Sequence, residues 1–170
     1  LSYDNGTHTG FWEYTPERFI SVQFTPDGPG ELISVKYYLT NGGGPIGTYF
    51  VVLHDWEGSQ PSVEAVYEGN PGVFSEEGWE EAAILPNFPF QDDFVAGIKL
   101  NDAYCSIGID EGLQTGRNWI FDISLATWTE VTDYSFLIRA VVEYTTGVIE
   151  ELEGKVVSFY PNPANSYTNV

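Results

Sequence analysis

Two histidines, one cysteine and 25 acidic residues are the side chains of this 170-residue chain that could carry reaction chemistry. His54 precedes Asp55, and a histidine next to a carboxylate can act as a general base with its orienter. His54 also ends the apolar run Tyr49–Leu53, where it reads as a strand-end residue turned toward a loop; that reading is preferred. No Gly-x-Ser-x-Gly elbow or cysteine-protease signature accompanies either histidine. Cys105 alternates in register with Ala103, Ile107 and Ile109, which places it on a buried face as a small hydrophobe. Two histidines and a cysteine without paired spacing make a poor zinc set. With 25 acids, some carboxylate pair at a glycosidase separation arises by chance. The residues therefore point away from an enzyme, and no catalytic residue is assigned.

Binding chemistry has more to draw on. Calcium takes several hard oxygens from loop carboxylates, amides and carbonyls. Two loops offer them: Asp4 and Asn5 ahead of Gly6, and Asp55 and Glu57 ahead of Gly58. The second lacks the terminal glutamate of an EF-hand, and both suit Asx turns equally well. Calcium is the credible cofactor and no other is expected. Among the five tryptophans, Trp12, Trp56 and Trp79 lie near turns or in acidic surroundings and are the candidate sugar-stacking residues. Trp119 and Trp128 fall in or beside strands and read as core. If Trp12, Trp56 and Trp79 formed one coplanar exposed strip, polysaccharide would be the expected partner.

Charge narrows the partners further. Six basic residues against 25 acidic ones give a net charge of −19, which repels phosphate backbones and anionic lipid, so nucleic acid is excluded as a partner. No apolar run approaches the roughly 20 residues of a membrane-spanning helix, so no transmembrane segment is expected.

These groups must be positioned by strands. Period-two alternation recurs through Ile20–Phe24, Ile33–Leu39, Tyr49–His54, Val63–Tyr67, Phe94–Leu100 and Tyr134–Val142, with no 3.6-residue apolar stripe. Turns such as Asp27-Gly28-Pro29-Gly30 and Gly69-Asn70-Pro71-Gly72 separate the runs. Tyr49–His54 is apolar on both faces and suits a central strand. Ser75–Ala83 fits a helical turn or an edge strand. The fold class is all-β, an antiparallel β-sandwich with jelly-roll topology favoured.

The end of the chain carries a motif. Tyr160-Pro161-Asn162-Pro163-Ala164 follows the apolar Val156–Phe159 and the acidic stretch Val148–Lys155. This run resembles the opening of the type A C-terminal sorting domain of type IX secretion in Bacteroidetes-type bacteria. The resemblance implies the secretion machinery as a partner and a secreted or cell-surface location. It divides the chain into a sandwich module at 1–147, an acidic linker at 148–155 and the truncated start of a sorting domain at 156–170. The order of runs from Leu1-Ser2-Tyr3-Asp4 through Val51-Val52-Leu53-His54-Asp55 to Phe136–Val142 is similar to jelly-roll accessory modules of such secreted proteins. Together these imply a non-catalytic accessory or structural module. A carbohydrate-binding module and a self-associating adhesion or filament subunit that exchanges a strand with a neighbouring subunit stand as alternatives.

Overall fold

A computed structural model describes residues 1–13, 18–40, 47–101, 105–112, 114–145, 147–148 and 159–160. In chain order the strands are β1 (Gly10–Glu13), β2 (Arg18–Phe24), β3 (Gly30–Thr40), β4 (Gly47–Asp55) and β5 (Tyr67–Glu68). Then follow β6 (Gly72–Phe74), β7 (Gly78–Phe90), β8 (Phe94–Leu100), β9 (Ser106–Asp110) and β10 (Asn118–Asp122). The last are β11 (Thr127–Val131), β12 (Ser135–Phe136), β13 (Ile138–Tyr144), β14 (Gly147–Val148) and β15 (Phe159–Tyr160).

Sheet A joins β1, β9, β12, β13, β3 and β7, and sheet B runs β11-β10-β2-β8-β4 with β5 and β6 on the outer edge of β4. Every pairing is antiparallel. The two sheets form a sandwich, and from β1 to β4 the chain changes sheet at each step, in the rolled manner expected from the sequence. β14 and β15 pair only with each other among the described residues.

Alternation decides what enters the core. Ile20, Val22 and Phe24 of β2, Val35, Tyr37 and Leu39 of β3, and Tyr49, Val51 and Leu53 of β4 all face inward. Cys105 joins them with no exposed surface, as its pattern with Ile107 and Ile109 requires. Two polar groups tie the sheets together across this interior. Tyr37 Oη on sheet A donates to the Gly97 carbonyl on sheet B at 2.8 Å. Burial pushes its phenol well above the ordinary value, so it stays a donor. Gly97 must lack a side chain, because a Cβ there would lie 2.0 Å from Ser21 Oγ. Asn118 of β10 accepts from the Phe136 amide at 3.0 Å and donates to the Tyr134 carbonyl at 3.1 Å, so one buried amide joins β10 to β12.

One local expectation is corrected and one open choice is decided. Val63–Tyr67 alternates like a strand, but only Tyr67–Glu68 pairs, and Val63 and Val66 are exposed. The preceding loop is fixed from the other side: the Ser62 amide donates to the Asp55 carbonyl, and Glu57 and Gln60 close a turn around Gly58 at φ +85°. The helical option for Ser75–Ala83 gives way to an edge strand, β7, which pairs only with β3 among the described residues.

Candidate functional site

The register of β4 on β8 builds the first candidate. Asp55 pairs with Phe94, which sets the end of β4 beside the tight turn between β7 and β8. Asp55, Trp56, Phe88, Phe90, Asp92 and Asp93 thereby line one depression of about 320 Å³. Its aromatic side is braced by Phe90 stacked on Phe94 at 5.0 Å, and Trp56 meets Trp119 edge-on at 5.6 Å. Asp93 is held in place: its Oδ2 accepts from Gln23 Nε2 at 2.6 Å and Thr25 Oγ1 at 3.0 Å. Asp55 and Asp92 are exposed. A half-buried indole beside free carboxylates can lie against a sugar ring while accepting its hydroxyls.

The outer face of sheet B is a second, smaller core. Phe19, Val52 and Phe121 are buried there with Trp128 against them, and His54 lies fully buried among the same rings. The 56–66 loop covers this face. Its Ser62 carbonyl lies 2.9 Å from His54 Nδ1 and accepts from Trp128 Nε1 at 3.0 Å. His54 Nε2 has no hydrogen-bond partner among the described residues. Burial lowers the His54 pKa, opposed by its contacts with the Ser62 and Glu64 backbone and by Asp55. His54 is therefore the loop-facing packing residue that its position suggested, with its ring committed to fastening that loop.

On the outer face of sheet A the rings are only partly covered. Phe11, His8, Tyr38 and Trp79 make a row of rings, with centroids 4.1 Å, 5.0 Å and 5.7 Å apart in that order. Trp79 is 37% exposed. The Arg139 guanidinium lies 4.2 Å over its ring and is itself gripped by both carboxylate oxygens of Asp4. This pair raises the Arg139 pKa, chiefly through its hydrogen bond to Asp4.

These positions redistribute the residues singled out from the sequence. Asp4 is fully buried at its carboxylate and already has a counter-charge in Arg139. Asn5 Oδ1 accepts from the Thr7 amide at 2.7 Å, the Asx turn that was the alternative to metal binding. Asp55 and Glu57 line a further depression of about 340 Å³ with Glu64. Among the described residues no group of three or more His, Cys, Asp or Glu is placed to hold a metal ion. The three tryptophans form no common strip: Trp12 packs inward, edge-on to Phe136, Trp56 sits at one end of sheet B, and Trp79 is on the outer face of sheet A. Tyr160 lies in β15, and Pro161, Asn162, Pro163 and Ala164 fall outside the described residues.

Sequence reasoning missed Phe11, His8 and Tyr38 as companions of Trp79. Their signal was present in the alternation, since Phe11 is out of phase with the inward Trp12 and Tyr38 with the inward Tyr37. Register alone, invisible in one sequence, places them side by side.

No family model matches this chain, and no curated protein does, so the sorting-domain resemblance rests on its own residues. Among solved structures it is similar to Cwp84, a surface-layer-associated protein of Clostridium difficile, whose cysteine protease and lectin-like domains were determined together. The TM-score is 0.62 at 11% sequence identity, over 76% of this chain and 33% of that one. This likeness concerns the fold. The present chain spans a third of that structure's length.

Proposed function

We propose that this chain is a non-catalytic accessory module of a secreted or cell-surface protein and that it holds uncharged glycan at the Trp56 depression. The observation that carries this reading is the meeting of Trp56 with Asp55, Asp92 and Asp93 around one cavity, with Asp93 fixed by Gln23 and Thr25. An indole offers an apolar face to a pyranose ring, and carboxylates accept hydroxyl hydrogens strongly. A net charge of −19 disfavours sulfated or uronic polysaccharides, leaving neutral ones. Support for the location comes from the fold shared with a surface-layer-associated protein that includes a lectin-like domain. The absence of a reaction is supported by the packing roles of His8 and His54 and by the burial of Cys105.

Affinity electrophoresis through gels containing neutral or sulfated polysaccharides tests the reading. At least one neutral polysaccharide should retard the protein, and Trp56→Ala should restore free mobility while Trp79→Ala leaves retardation intact. Equal mobility in every gel, or retardation indifferent to Trp56, would sink it.

A further inference from the structure

The side of the sandwich where β7 faces β5 and β6 is open. Here β7, the edge of sheet A, and the short β5 and β6, the edge of sheet B, leave a groove of about 290 Å³ between them. Tyr49, Tyr67, Val73, Glu80, Ala82 and Leu85 line it. Two of these are unusually bare for aliphatic side chains, Leu85 at 75% and Val73 at 60% exposure. The Leu85 amide of β7 reaches across the groove to donate to Tyr67 Oη of β5 at 3.3 Å. A thirteen-residue strand with one paired edge is a template for another strand, and proteins normally blunt such edges. Pro86 and Pro89 do so in the second half of β7, while among the described residues the first half is guarded by charge: Glu76 and Glu77 just before it, Glu80 and Glu81 within it.

That charge has one sign. All five basic residues among the described ones are already engaged: Arg18 with Asp122, Lys36 with Glu81, Arg139 with Asp4, Arg117 over Tyr3, and Lys99 over Phe19 and Phe50. Glu80, with no ion pair among the described residues, faces the groove. We propose that the first half of β7 accepts an extended segment of a partner protein in which aliphatic residues alternate with lysine or arginine. Period-two geometry sends one set of side chains into the groove against Tyr49, Tyr67 and Val73, with Glu80 beside them, and the other to the opposite face of β7, where Glu81 lies. The acidic residues repel a second copy of this chain and admit a basic strand, so the same charges prevent self-association and select the partner.

The probe is a fluorescent nine-residue peptide alternating lysine and valine, titrated by anisotropy and by amide chemical shifts of isotope-labelled protein. Expected are binding at least tenfold tighter than for a glutamate–valine peptide and shifts concentrated at 78–85 and 67–74. The charge-reversed double variant Glu80→Lys/Leu85→Lys should invert the preference; both positions border the groove, and its thermal melt checks that it folds. A peptide of the same composition with its lysines and valines in separate blocks should bind at least tenfold more weakly. Equal binding of the two lysine peptides, shifts centred on the Trp56 depression, or an uninverted preference in a folded variant each overturns the proposal.

Discussion

Both outer faces of the sandwich are rich in aromatic residues, yet they spend them differently. On sheet B, Phe19, Phe121 and Trp128 surround His54 beneath the 56–66 loop, and the loop is fastened by one carbonyl that meets both the imidazole and the indole. On sheet A, Phe11, His8 and Tyr38 are half-buried and Trp79 is exposed, no loop is fastened over them among the described residues, and the ring most open to solvent is steadied by a guanidinium pinned to Asp4. Aromatic content alone therefore does not mark a binding face. What separates stability from availability is whether a neighbouring loop has polar groups to spend on closing over the rings.

The largest effect should come from the covered face. Phe121→Ala removes a ring that is 5% exposed and should cost about 3–5 kcal/mol in chemical denaturation, in line with other buried aromatic truncations. A loss below about 1 kcal/mol would erase the distinction between the two faces.

A pH titration sharpens the contrast at intermediate magnitude. His54 has a folded pKa below its ordinary value, so the unfolded chain binds more protons in the window below about pH 6.5. Its contribution is present above that window and is lost as pH falls toward the folded pKa, at up to about 1.4 kcal/mol per pH unit. Carboxylates also titrate, so the measurement is a difference: between pH 7 and pH 5 the wild type should lose more stability than His54→Gln. Parallel losses would mean that His54 charges without cost under its loop.

The smallest effect belongs to the partly covered face. Trp79→Ala should change stability by less than about 1 kcal/mol, the worth of its exposed contact with Arg139. A larger loss would show that the partly covered row is structural after all.

Period-two alternation made much of this fold legible. It sorted the inward residues of β2, β3 and β4, identified β4 as apolar on both faces, and placed Cys105 in the core. It misjudged Val63–Tyr67, where the pattern is strand-like but the Asp55–Ser62 pairing and the fastening of Ser62 pull the chain into a loop. Alternation also cannot say which face is the core. Trp79, Ala83 and Leu85 form the more apolar set of β7, yet they point outward and Ile84 points in. The Trp56 depression was half legible: Asp55 and Trp56 each stood out, but their meeting with Asp92 and Asp93 depends on Asp55 pairing with Phe94, a register set by two distant segments. The counter-charge of Asp4 was not legible, because Arg139 arrives from the far end of the domain.

The buried thiol has a use of its own. Cys105 is the chain's sole cysteine and has no exposed surface, so a thiol reagent can reach it only when the interior opens. Under native conditions its labelling rate is therefore a stopwatch for opening events, started without any introduced tag. Run in the presence of a neutral polysaccharide or of a lysine–valine peptide, the same stopwatch would show whether occupying either surface slows the breathing of the sandwich.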